Sequence, residues 1–275
     1  MLRKLIKHEF KATYKTFGLI FVALMVLALL SRFCIYIPFE NVVYEFMSAV
    51  MTVVYMIATF GISLISVVLI IKRFSQNMLR DEGYLTHTLP VKTWQHLLAK
   101  GLTYTVWMIA SVIAMLGSLF VYFVGTDEFS NFIKSFGEVL NEMLKYPSLV
   151  GLCVFFLIIM IAQVVVNIYA FFAALSLGQI FKKHKIFGAV VFYFVLNYAT
   201  SFLVSAAAML VPNLTDKMNT VLERAENAKT VAECVNIVAA PFYAYFAVSL
   251  VIDILLGVLY FFISNYMLSK KLNLE

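Results

Sequence analysis

The sequence predicts an all-α membrane protein with six transmembrane helices, and three observations lead there. Apolar residues make up 63% of the chain and charged residues only 13%, whereas a soluble domain carries about 25% charged residues. Six apolar runs reach or exceed the ~20 residues that cross a bilayer as a helix. Formal charges enter only two of those runs, as Arg32 and Asp253. A water-soluble helical domain would need polar helix faces, and most of these runs have none.

Residues 1–16 come first. Leu2, Leu5, Ile6, Phe10 and Phe17 fall near one helical face with basic residues on the other, so an amphipathic interfacial helix is expected along the inner membrane surface before the chain turns in. Spans follow at about 17–37, 47–71, 101–124, 148–180, 186–211 and 238–268. Backbone groups in hydrocarbon find no water to bond, and a helix satisfies them internally. No small-residue cleavage site follows a short apolar core, so the first run reads as a retained span rather than a signal peptide.

Between the third and fourth spans, Phe129, Phe132, Ile133, Phe136, Leu140, Met143 and Leu144 recur at three-to-four spacing, opposite Lys134, Glu138, Asn141 and Glu142. This predicts a short outer amphipathic helix over 128–146. In 213–240 the pattern is weaker, but Thr230 and Glu233 match a capping box that starts another short helix. Two rows of small residues, Ala110, Ala114 and Ser118, then Ser201 and Ser205, predict close helix packing, within the chain or at a subunit interface. With no fixed-period repeat and no Pro-, Gly- or Ser-rich linker, residues 1–275 read as a single transmembrane domain.

Charge sets the orientation. Fifteen of the 21 basic residues fall in 1–16, 72–100, 182–185 and the C-terminal tail, giving that side of the membrane a net charge of +11 against −4 opposite. By the positive-inside bias both termini are cytoplasmic. The basic residues then meet anionic lipid headgroups, which explains the pI of 9.1. Nucleic acid is excluded as a partner, because no soluble module carries a basic face.

Catalytic constellations are missing. The chain has no G-x-x-x-x-G-K-[ST] to cradle nucleotide phosphates, no H-E-x-x-H and no G-x-S-x-G. His8, His87, His96 and His184 are scattered, and Cys34, Cys153 and Cys234 show neither zinc spacing nor a disulfide framework. No enzymatic activity, metal or cofactor is expected in this chain. Asp253 is the one carboxylate deep in a span, where a charge costs about 2.5 to 3.5 kcal/mol on insertion scales. It is read either as a polar site on a translocation path or as a buried polar link, with Gln163 and Asn167 of the fourth span and Asn197 of the fifth as its candidate partners.

The longest polar interlude, 72–100, lies on the cytoplasmic side. Gly83 permits a turn, Pro90 restrains Leu89, and residues 92–100 resume a helical pattern. The expected shape is helix, exposed turn, helix, and a connection this long is usually functional.

In this interlude the chain resembles the small ABC-2 type permease subunits of bacterial ABC transporters. The resemblance rests on Asp81-Glu82-Gly83-Tyr84-Leu85-Thr86 followed by Leu89-Pro90-Val91, on six spans with both ends inside, and on the basic amphipathic start. It implies a multi-pass protein of the bacterial plasma membrane, one half of an exporter. A separate ATP-binding subunit, holding the ATP and Mg that this chain lacks, would dock on 72–100. A second permease subunit, identical or related, would complete the path. Carried onto this sequence, the coupling residues are Arg80, Asp81, Glu82, Gly83, Tyr84 and Leu85, with Leu89 and Pro90 shaping the return. The family's outer re-entrant region corresponds to 213–240. Cargo of peptide, lipid-like or drug-like character would suit the 26 Phe and 13 Met. Two other functions remain open from the residues alone. One is an ion- or proton-coupled secondary transporter using Asp253, and the other a nontransporting membrane sensor or assembly protein.

Overall fold

The computed structural model describes residues 2–36, 42–79, 91–181, 184–210, 221, 224, 228 and 230–270. Its elements are seven helices: α1 (Leu2–Tyr36), α2 (Val42–Leu79), α3 (Thr93–Phe123), α4 (Asp127–Leu144), α5 (Pro147–Gly178), α6 (Lys185–Leu210) and α7 (Val231–Lys270). No strand occurs among the described residues. All but α4 are long and apolar enough to cross a membrane. Only 11% to 28% of each apolar stretch is buried, so most of its side chains face outward. Phe60 and Ile186 are each more than 70% exposed, an arrangement that suits lipid and would be costly in water.

Two elements depart from the sequence reading. No turn separates residues 2–16 from the first span; α1 is one helix of 35 residues, about 52 Å long at 1.5 Å per residue. Nothing in it interrupts the backbone ladder, since it contains no Pro and a single Gly, Gly18. Similarly, Thr230 Oγ1 accepts the Glu233 backbone N–H at 3.2 Å, as a cap should. The helix it opens is not short, however, but runs on through Pro241 to Lys270. Proline removes only the bond to the Ile237 carbonyl, and the packed helix continues past that loss.

The described residues divide into two compact units, with the boundary inside α4 between Lys134 and Ser135. In the first unit α1, α2 and α3 pack on one another. Leu24, Ala28, Tyr55, Ile62 and Tyr122 form its apolar centre, with the Tyr55 and Tyr122 rings stacked at 4.7 Å. Polar pairs cross between the same helices: Tyr55 Oη with Ser118 Oγ at 3.0 Å, Ser66 Oγ with Ser111 Oγ at 3.0 Å, and Tyr122 Oη donating to Thr52 Oγ1 at 3.2 Å. Trp107 Nε1 donates to Thr13 Oγ1 at 2.8 Å and its ring stacks on Phe17 at 4.8 Å, fixing α1 on α3. Ser118 thus serves close packing as its small-residue row predicts, together with Ser111.

In the second unit α5, α6 and α7 pack in the same way. The buried stripe of α7 is Ser249, Asp253, Leu256, Tyr260, Ser264 and Met267, the three-and-four spacing of one helical face. Ring contacts fasten the helices, Phe171 on Tyr193 at 4.2 Å and Tyr169 on Phe261 at 5.7 Å. Both ends of α5 rely on glycine for close approach. A Cβ at Gly178 would lie 2.7 Å from the Ala189 backbone N, and one at Gly151 would lie 2.1 Å from the Tyr243 hydroxyl.

These approaches yield a paired expectation. Gly178→Ala meets backbone that cannot swing aside and should destabilise by about 1 to 3 kcal/mol. Gly61→Ala, with nothing within 4 Å, should leave stability unchanged or raise it by up to about 1 kcal/mol. Thermal unfolding of the two purified variants reads both.

Candidate functional site

Three ends of the first unit converge on one carboxylate. The Glu9 carboxylate, on α1, takes an ion pair from Lys100 Nζ of α3 through Oε1, and Arg73 Nε of α2 donates to its Oε2 at 3.5 Å. The Lys100 side chain is 2% exposed and Glu9 13%, while Arg73 retains 29%. Tyr104, one turn beyond Lys100 and fully buried, lies close enough to feel the charges of both Glu9 and Arg73. Glu9, Thr13 and Phe17 share a face of α1 at four-residue spacing, with Lys7, Lys11 and Lys15 exposed around it.

Arg73 and Lys100 bracket the interlude. They are 27 residues apart in sequence, yet both reach Glu9, so the chain leaves α2 and re-enters α3 at one fixed point. The expected helices on either side are present, α2 to Leu79 and α3 from Thr93. The coupling residues Arg80, Asp81, Glu82, Gly83, Tyr84, Leu85, Leu89 and Pro90 lie outside the described residues.

A second polar centre sits in the other unit. Asp253 is fully buried and is the central residue of the run 238–268, so by residue count it is at mid-membrane depth. Gln163 Nε2 of α5 donates to both of its carboxylate oxygens, each at 2.7 Å. No cationic side chain pairs with Asp253 among the described residues. Of the other partners the sequence offered, Asn167 donates to the Gln163 carbonyl at 2.9 Å and Asn197 to the Tyr193 carbonyl at 3.1 Å. Each amide bonds its own helix, so neither holds the carboxylate.

Gln163, Asn167 and Asn197 are nevertheless brought together, because all three line one half-open cavity of about 280 Å³ between α5, α6 and α7. Thr200, Ser201 and Ser205 of α6 and Tyr245 and Tyr260 of α7 complete its polar wall, with Val166, Ala170 and Val204 between them. The Thr200 and Tyr260 hydroxyls lie 2.6 Å apart and both reach the Leu196 carbonyl. Asp253 stands behind Gln163 and does not itself form the wall.

Glu9, Arg73, Lys100 and Tyr260 are the residues sequence reasoning passed over. One signal for Glu9 was present, since it is the only acid before Glu40 and is surrounded by basic residues. Tyr260 follows Asp253 by seven positions, two turns along one face. The described residues contain no cluster of His, Cys, Asp and Glu fit to hold a metal, and the three cysteines are unpaired. No family model matches the chain, and no curated protein or solved structure matches it.

The Glu9 cluster makes a directional prediction. Glu9→Gln leaves the buried Lys100 ammonium without its counter-charge and should destabilise the protein by about 3 kcal/mol or more. Adding Lys100→Met should recover a large part of that loss, since the stranded charge is then gone. A double-mutant cycle by thermal or denaturant unfolding checks it.

Proposed function

We propose that this chain is the membrane-spanning permease subunit of an ABC-2 type ABC transporter, exporting peptide, lipid-like or drug-like cargo. It is driven by a separate ATP-binding subunit docked on residues 72–100. The observation that carries this is the double pairing of Arg73 and Lys100 on Glu9. A loop whose two ends are tied together, and tied to a third helix, passes a push at its tip to α1, α2 and α3 at once. A solvated connector needs no such tie.

Topology supports the same assignment. Six crossings return the C-terminus to the side of the N-terminus, and the charge bias favours the cytoplasm for that side. On this assignment residues 2–16 form the family's basic amphipathic start, here continuous with the first span and packed through Thr13 and Phe17. Helix α4 suits the outer interface, because none of its residues is buried and Ile133, Val139 and Leu140 expose apolar surface. ATP binding closes two ATPases, and the interlude carries that movement into two permease subunits facing one path. The permease responds through contacts that differ between its inward-open and outward-open states. Gln163, Asn167, Asn197 and Asp253 are the polar groups it places within the membrane for cargo.

Coexpression with the cognate ATP-binding subunit tests the proposal. Replacing Glu82 and Tyr84 by Ala should abolish copurification of the two subunits, whereas Glu9→Gln should lower ATPase stimulation while the complex still forms. Unchanged complex formation and unchanged stimulation in the Glu82/Tyr84 variant would sink the coupling assignment.

A further inference from the structure

The cavity between α5, α6 and α7 has a chemical bias that its residue names alone do not reveal. Its amide nitrogens are already engaged: Gln163 Nε2 goes to Asp253, Asn167 Nδ2 to the Gln163 carbonyl, and Asn197 Nδ2 to the Tyr193 carbonyl. The partner oxygens Gln163 Oε1, Asn167 Oδ1 and Asn197 Oδ1 accept no hydrogen bond among the described residues. The Thr200 and Tyr260 hydroxyls lie 2.6 Å apart and both reach the Leu196 carbonyl, so they are engaged with one another and with α6. Asn167 and Asn197 each keep a second N–H, and the Ser201, Ser205 and Tyr245 hydroxyls can donate as well as accept, so acceptor oxygens outnumber the N–H donors left on the wall.

Behind that wall is a buried carboxyl group, Asp253, with no cationic partner among the described residues. One amide donor offsets part of the cost of ionising that group at this depth, and a cation brought close to it would favour the ionised form. A cavity of about 280 Å³ is just below the lower end of the range for small-molecule sites, room for the polar head of a ligand. Acceptors in front and a carboxylate behind match one kind of occupant, a cation that carries N–H donors.

We propose that this cavity binds a primary ammonium group, with Asp253 as its counter-charge acting through the Gln163 amide and with the oxygens of Asn167 and Asn197 accepting its N–H donors. A metal cation of the same charge would satisfy the carboxylate but bring no donors. A neutral alcohol of the same size would bring one donor and no charge. As a statement about cargo, namely that an exported molecule presents an amine here, the proposal rests on the permease assignment. As a statement about binding, it concerns the chain alone.

Thermal unfolding of the full-length purified protein tests it without any ATPase. n-Butylammonium chloride, replacing sodium chloride at constant ionic strength and pH, should raise the melting temperature in a saturating, dose-dependent way, since a ligand of the native state stabilises it. n-Butanol and tetramethylammonium chloride at equal concentrations should not. Asp253→Asn, a neutral isostere that relieves rather than adds buried charge, should weaken the apparent affinity at least tenfold, and Asn167→Leu should weaken it as well. Four results each overturn the proposal: no saturating rise with n-butylammonium, an equal rise with n-butanol, an equal rise with tetramethylammonium, or an unaltered affinity in Asp253→Asn. Loss of the ATP-binding subunit's copurification leaves this result untouched, and the converse holds, so the two assignments fail separately.

Discussion

A polar group carried into hydrocarbon has no water to fall back on, so it must find its partner inside the protein. This single constraint organises the chain. It makes the long apolar runs helical, because only a helix satisfies every backbone group within one segment. Hydroxyl side chains obey it by turning back on their own helix: Thr59, Thr103, Ser176 and Ser264 each donate to the carbonyl four residues earlier. Others obey it across helices, as in the pairs Tyr55 with Ser118 and Ser66 with Ser111. Apolar surface against lipid supplies little drive to associate, so such pairs and close small-residue contacts hold spans together.

Charged groups meet the constraint more severely, and the chain handles them in two ways. Lys100, Arg73 and Glu9 sit beyond the apolar stretches of their helices and are paired. Removing water from a lysine is expensive unless a carboxylate comes with it, which makes Glu9 the residue on which the end of the first unit depends. Asp253 instead sits in mid-span with an amide for company. The first arrangement is closed in charge. The second has no cationic partner among the described residues.

The legibility of these features follows their range along the chain. Hydropathy and helical spacing are local quantities, so the six long helices and the amphipathic pattern of α4 could be read from residues alone. Reading failed where a local cue had two outcomes. The basic, apolar-faced start at Leu2 was compatible with a surface helix or with the first turns of a longer one, and contacts such as Trp107 with Thr13 and Phe17 hold it in line with the span. The cap at Thr230 marked a start correctly but carried no information on where the helix would stop. Gln163, Asn167 and Asn197 were all reasonable partners for Asp253 by depth. Two of them instead bond carbonyls of their own helices.

Composition and period by themselves determined that this is a helical chain with six segments able to cross a membrane, and on which side of each segment its basic residues gather. Both properties are sums over neighbouring residues, insensitive to how helices are rotated about their axes. Tertiary structure alone decided that Glu9 joins Arg73 to Lys100, that Asp253 meets Gln163, and that Gln163, Asn167 and Asn197 line one cavity. Such pairings depend on the rotation and stagger of packed helices, to within the reach of one side chain. No pattern within a single helix encodes those quantities.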